Sequence, residues 1–257
     1  MPARGGSNST AERTIDVLLL FDEDHPQLTA GDVSERLKMP RSTTYRYLQS
    51  LRSYELIEEE NGSGRFRLGA RLLQLARVAR KGMGIADVAF PDMQALAART
   101  GEAVLLTRIS GDRVVCLERV ESQHRISLSY ERGHVLPLHA GASAKVLLAF
   151  LPEPEIEAIL ERVTLNRYTD RTVTDKPTLR RQLADIRVAG YAVTNGEVDE
   201  GVRGVAAPIF GPEGRVAAGL SIAGPSFRLV DDTLPDAICA VQEAAKAVGK
   251  RLERLDG

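Results

Sequence analysis

The sequence predicts an α+β protein of two domains, a small winged helix-turn-helix followed by a larger domain built on a mostly antiparallel sheet. Three observations carry that expectation. Between Leu28 and Gly69, two amphipathic helical runs flank a proline turn and lead into a hairpin pattern. Basic residues crowd this stretch, although the chain as a whole is nearly neutral, with a net charge of −1. Past residue 83, strand-like and helical runs are interspersed and are joined by hairpin turns rather than crossovers.

Length and composition set the bounds. The 257 residues, 43% of them apolar, suffice for two cores. Residues 1–82 hold 13 basic and 11 acidic residues, and the remainder 21 and 24. A protein that coats nucleic acid with its whole surface is strongly basic; this distribution describes a small reader attached to a larger neutral domain. No apolar run approaches the ~18–20 residues of a membrane span, and Met1–Ser9 has no signal-peptide pattern, so a cytoplasmic protein without membrane contact is expected. Cys116 and Cys239 are isolated, and the four histidines lack an H-x-x-x-H spacing. Neither a metal nor a cofactor is expected.

In chain order, Met1–Asn8 reads as a disordered lead-in. Ser9 and Glu12 stand at capping-box spacing before a helix whose Ile15, Leu18 and Leu19 are expected to pack on the next helix pair. The acidic loop Asp22-Glu23-Asp24-His25-Pro26 reads as a solvated turn. Thr29 and Asp32 form an acidic capping box, and Ala30, Val33 and Leu37 form one buried stripe. Pro40 cannot continue that helix and biases Met39 away from it. The second helix buries Thr44, Tyr47, Leu48 and Leu51. Its other face presents Arg41, Ser42, Thr43, Tyr45, Arg46 and Gln49, groups able to hydrogen-bond phosphates or base edges. Leu56-Ile57 and Phe66-Arg67-Leu68 flank the turn Asn61-Gly62-Ser63-Gly64, which makes a wing.

Charge decides between a DNA reader and a protein-binding winged helix with a solvated cationic face. Arg36–Arg52 contains five basic residues and no acid, and Arg65–Lys81 contains six and none. Phosphate binding accounts for such local excess. The expected DNA-binding residues are Arg41, Ser42, Thr43, Tyr45 and Arg46 from the second helix, with Arg65 and Arg67 from the wing. This domain ends at residue 69, and Ala70–Lys81 reads as a linker helix whose Leu72, Leu75, Ala76 and Ala79 need a partner. Gly82-Met83-Gly84 breaks it, placing the second domain at 83–257.

That domain begins with a helix interrupted or restarted at Pro91 and stopped near Gly101. Strands at Glu102–Ile109 and Arg113–Val120 flank the turn Ser110-Gly111-Asp112, and Ile126–Tyr130 alternates as a third strand. Helices follow at about Ser143–Phe150, Glu153–Val163 and Thr178–Val188, the last ended by Gly190. Tyr191–Thr194, Val205–Phe210 and Val216–Ile222 complete the sheet. The final helix, from Leu234, aligns Ile238, Val241, Ala245, Val248 and Leu252.

Several segments, taken in order, resemble the IclR-type bacterial transcriptional regulators over nearly the whole chain. They are 11–18 (AERTIDVL), 40–43 (PRST), 64–69 (GRFRLG), 136–145 (LPLHAGASAK), Gly201-Val202-Arg203 with Ala206-Ala207-Pro208, and 221–225 (SIAGP). The resemblance implies a GAF-like, effector-binding second domain, a linker that supports dimerisation, and a small organic acid bound between the helix start near Ser143 and the sheet. Its contact positions fall on Leu128, Leu136, Ala142, Ser143, Thr194, Val202, Gly204, Ser221 and Ala223. Leu128, Leu136 and Val202 would be walls; Ser143, Thr194 and Ser221 would donate hydrogen bonds. Gly204 and Ala223 are smaller and less polar than their counterparts in relatives that take two- or three-carbon acids, which implies room for a larger, aromatic acid. None of the nine is Arg or Lys, so an anion would be held by backbone dipoles and hydroxyls.

The residues themselves leave two readings of Gly141-Ala142-Ser143. Open N–H groups at a helix start attract anions, or Ser143 merely caps its own helix while Gly141 makes the turn. A hydrolase using Ser143 with Lys145 or His139 is a third possibility. Residues two apart on a helix point about 200° apart, and there is no G-x-S-x-G elbow, so an enzyme is not expected. The reading that results is a regulator binding a palindromic double-stranded operator as a homodimer or a dimer of dimers, modulated by a small organic acid. A constitutive repressor whose second domain only assembles is the alternative.

Overall fold

The computed structural model describes residues 10–22, 24–60, 62–82, 84–124, 130–212 and 214–255. Met1–Asn8, the Ser9 half of the first capping box, Glu23, Asn61, Met83, Leu128, Glu213 and the strand expected at Ile126–Tyr130, apart from Tyr130 itself, fall outside those residues. Two compact units divide the chain, Met1–Met83 and Gly84–Gly257.

In the first unit, α1 (Thr10–Leu18) precedes a short strand, β1 (Gln27–Thr29), and α2 (Ala30–Leu37). Ile15 and Leu19 are not core residues: they are 55% and 52% exposed, and Val17 and Phe21 are buried instead. Leu18 packs against their cluster as expected, and Phe21 joins it from the segment after the helix. The Thr29–Asp32 capping box forms in full. The Asp32 backbone N–H donates to Thr29 Oγ1 at 3.2 Å, and the Thr29 N–H donates to Asp32 Oδ2 at 2.7 Å. Lys38 closes α2 in the left-handed region, and α3 (Arg41–Ser53) starts directly after Pro40 with Thr44, Tyr47, Leu48 and Leu51 buried.

The wing hairpin pairs β2 (Ile57–Glu59) with β3 (Arg65–Leu68), and β1 adds to the other edge of β3, giving the order β1-β3-β2. Only three residues long, β1 has too little alternation to read from sequence. α4 (Arg71–Gly82) leaves Leu73, Leu75 and Val78 at 76%, 48% and 65% exposure.

In the second unit, α5 (Ile85–Thr100) runs straight through Pro91 rather than restarting there. An interior proline costs a helix about 3 kcal/mol. Ile85, Ala86 and Ala89 before it and Met93 and Leu96 after it are buried in one cluster, at roughly 1.5–3 kcal/mol for each large side chain, and this joint burial outweighs the break. The sheet follows the order β6-β5-β4-β9-β8-β7 with every pair antiparallel. Its strands are β4 (Ala103–Ser110), β5 (Arg113–Val120), β6 (Val135–Leu136), β7 (Ala192–Asn195), β8 (Val202–Phe210) and β9 (Val216–Pro225).

Helices cover both faces. α5 and α9 (Leu234–Leu255) pack on one, where Val205, Ala207 and Ile209 of β8 point. α6 (Ala142–Ala149), α7 (Glu153–Arg162) and α8 (Lys176–Ala189) pack on the other, which receives Ala206. That alternation is the period-two signature of a strand buried on both sides. No helix among the described residues is long and apolar enough to cross a membrane.

Candidate functional site

Two surfaces carry chemistry, one in each unit. In the first, burial of Thr44, Tyr47, Leu48 and Leu51 turns the opposite side of α3 outward. Arg41, Ser42, Tyr45 and Arg46 are exposed and Thr43 is half-buried, so the five helix residues singled out from sequence share one solvent-facing surface. The Arg46 guanidinium sits 5.6 Å from the centroid of the Tyr47 ring. In the wing, Arg65 and Arg67 are exposed, but they are not equivalent. Arg67 Nε donates to Glu58 Oε1 at 2.7 Å, and Arg52 makes a similar bond to Glu59 at 2.7 Å. A phosphate reaching Arg67 must share it with a carboxylate.

In the second unit, a small cleft, partly open to solvent, lies at the start of α6. Seven of the nine residues expected there line it: Leu136, Ala142, Ser143, Thr194, Val202, Gly204 and Ala223. Ser221 lies one layer behind, buried, with its Oγ 2.7 Å from Ser143 Oγ. Leu128 is outside the described residues. Small residues make the space. Gly141 adopts φ +85°, and a Cβ there would lie 3.2 Å from Val198 Cγ2, so both its backbone and its surroundings select glycine. Among the described residues, the N–H groups of Ala142, Ser143 and Ala144 have no hydrogen-bond acceptor. They are the open end of a helix dipole.

The cleft also holds groups that sequence reading missed. Glu197, just past β7, takes the Gly141 N–H on Oε2 at 3.0 Å and pairs through Oε1 with Lys145 Nζ at 2.5 Å. Lys145 also donates to Gln182 Oε1 at 2.7 Å. Its side chain is 2% exposed, and burial pushes its ammonium below the ordinary value while the Glu197 carboxylate opposes that shift. Tyr130 and Asp199 complete the lining, the Tyr130 hydroxyl donating to Asp199 Oδ2; burial, and then that bond, push the phenol's ionisation up. Neither acid belongs to a periodic pattern, and the one available signal was a Gly196-Glu197 pair directly after a strand.

Charge bookkeeping in the cleft is informative. Lys145 matches Glu197, whereas no ion pair reaches Asp199 among the described residues. Asp199 is exposed, so solvent screens its repulsion of an anion in the cleft, and the three N–H groups with the hydroxyls of Ser143 and Thr194 are the groups that would favour an acid. Among the described residues, no general base accompanies Ser143. Lys145 is committed to Glu197 and Gln182, and His139 Nε2 meets the Asn166 carbonyl at 2.9 Å. Burial first of all lowers the pKa of His139.

The C-terminal domain of the bacterial transcriptional regulator IclR matches residues 78–250, and the IclR helix-turn-helix domain matches residues 10–60. The HTH-type transcriptional regulator XynR of Escherichia coli (strain K12) is 32% identical over 244 residues, spanning 95% of this chain and 96% of the relative. KdgR of the same strain is 29% identical over 246 residues, spanning 96% and 93%. An IclR homolog from Microbacterium hydrocarbonoxydans, solved in complex with 4-hydroxybenzoate, superposes with a TM-score of 0.81 at 30% identity and covers 96% of this chain and 100% of its own. These relatives are regulators, not enzymes. The chain belongs to the IclR family of bacterial transcriptional regulators, with a DNA-binding helix-turn-helix domain and an effector-binding C-terminal domain.

Proposed function

We propose that this cytoplasmic regulator binds a palindromic operator as a homodimer or dimer of dimers, and that a small organic acid in the α6 cleft tunes its operator affinity. The observation that carries the effector half is the cleft itself: three open N–H groups of Ala142–Ala144 and the hydroxyls of Ser143 and Thr194 meet apolar walls from Leu136 and Val202. A carboxylate satisfies the first set, and a ring or alkyl chain the second. The bound 4-hydroxybenzoate of the Microbacterium relative supports an aromatic acid of that size.

Assembly follows from α4. Leu75 and Val78 are exposed one turn apart on α4, beside Leu72, Ala76 and Ala79, and a second copy of the helix would cover that side. Residues 1–69 read DNA, 70–82 link, and 83–257 bind effector and oligomerise. Arg41, Ser42, Thr43, Tyr45 and Arg46 contact the operator in the major groove, while Arg65 and Arg67 contact phosphate or the minor groove. The effector changes operator affinity by binding the DNA-competent and incompetent arrangements unequally.

Calorimetric titration of the full chain with benzoate, 4-hydroxybenzoate, pyruvate and succinate tests the effector half. Binding by one class, weakened in Ser143→Ala, is the expected result. If none of the four acids binds, the constitutive-repressor alternative takes over.

A further inference from the structure

The organic-acid reading leaves Asp199 without a purpose, and its position suggests one. A site built only for a carboxylate gains nothing from a second carboxylate in its lining. Yet Asp199 faces the same cleft as Ala142–Ala144 and is held in place by the Tyr130 hydroxyl through Oδ2. Its Oδ1 has no hydrogen-bond partner among the described residues. Glu197, the other acid in the lining, is consumed by Lys145 and the Gly141 N–H. Among the described residues, Asp199 is therefore the lining acid that combines an orienting hydrogen bond with an acceptor open to solvent, where a ligand at the cleft could replace water.

We propose that the effector is a carboxylic acid bearing a second hydrogen-bond donor, a hydroxyl or an ammonium, and that Asp199, oriented by Tyr130, accepts from it. This rests on the α6 cleft being the effector site. The donor gives Asp199 a charge-assisted hydrogen bond that a plain acid lacks, so donor-bearing acids are selected. The cleft thus reads a polar substituent as well as a carboxylate, and Asp199 is a specificity-determining residue.

The test is calorimetric titration of the full-length protein with matched acids: benzoate, 4-hydroxybenzoate and 4-(aminomethyl)benzoate, then propionate, lactate and alanine. Within at least one series, the donor-bearing member should bind at least about tenfold tighter than the plain acid, as expected for a hydrogen bond to a charged acceptor. Which of hydroxyl and ammonium gains more identifies the donor. Asp199→Ala should bring that preference to within about twofold while leaving binding of the plain acid in place. A merely structural role would weaken both ligands together. Tyr130→Phe should lose part of the preference while leaving plain-acid binding in place.

Equal binding of plain and donor-bearing acids by the wild type, or a preference that survives Asp199→Ala, overturns the inference but leaves the effector site standing. Absence of binding by all six acids overturns the effector reading, and this inference with it.

Discussion

Lys145 and Glu197 form the pair whose disruption can be worked furthest from the structure. Their side chains are 2% and 10% exposed, and the Nζ–Oε1 separation is 2.5 Å. In Lys145→Met the Glu197 carboxylate keeps the Gly141 N–H at 3.0 Å and loses its cation. An uncompensated charge at such a site costs about 3–5 kcal/mol. For a domain of this size each kcal/mol moves the midpoint by about 2–4 °C, so the melting temperature of the second unit should fall by about 6–20 °C. Lys145→Met combined with Glu197→Gln removes both charges and should recover most of that loss, because the amide oxygen still accepts from Gly141.

The pH dependence has a definite sign. Burial holds the Lys145 ammonium below its ordinary pKa in the folded domain, so between that lowered value and the ordinary one the unfolded chain carries the extra proton. Stability contributed by this group therefore rises with pH across that window, and Lys145→Met should flatten the rise. Differential scanning calorimetry of the four proteins in the double-mutant cycle decides the matter. A single Lys145→Met within 1 kcal/mol of wild type, or strictly additive effects, would refute the argument that the pair is energetically coupled.

Three further outcomes follow from the geometry. Gly204→Ala places a methyl 3.4 Å from Ala142 Cβ and 3.5 Å from Thr194 Oγ1, ordinary contacts that spare the fold but fill the cleft; effector affinity should fall by roughly 10–200-fold in titration with little change in melting temperature. Arg46→Ala should cost specific operator binding roughly 1–3 kcal/mol and leave random-sequence binding less affected, whereas Arg65→Ala should weaken both and lower the salt slope by about 1; an equal loss on both DNAs would make Arg46 a phosphate contact. The Asp32 carboxyl is held below its ordinary value first by the Thr29 backbone N–H and then by the Thr29 hydroxyl, so its contribution is present above the ordinary carboxylate range and disappears as pH falls through the lowered value. Asp32→Asn should flatten the acid limb of the first unit's unfolding curve, and an unchanged limb would show that the cap is already lost in wild type.

The sequence was most legible where one local rule suffices. The Thr29–Asp32 box, the four-residue stripe on α3 and the αL glycine ending α8 rest on contacts within a few residues, and all three form. Helix α5 was misread because Pro91 is locally a breaker, and the burial that outweighs it comes from α9 and the sheet. Of the residues expected to pack from α1, Leu18 does so, whereas Ile15 and Leu19 stay exposed because the helix ends at Leu18 and buries Val17. In the cleft, residues carried over from family resemblance fall together, while Tyr130, Glu197 and Asp199 do not appear in that pattern. Their roles arise from pairings at long sequence separation, Glu197 with Lys145 and Tyr130 with Asp199, which no spacing rule encodes.

The most direct test of the central claim is operator affinity measured with and without the acid. A duplex selected from a random-sequence pool by the full-length protein serves as operator, and fluorescence anisotropy at fixed salt reads its Kd. The acid should change the operator Kd by some factor, and operator should change the acid Kd by the same factor, since coupling between two sites is reciprocal. An operator Kd unmoved by an acid that calorimetry shows to be bound would contradict the account.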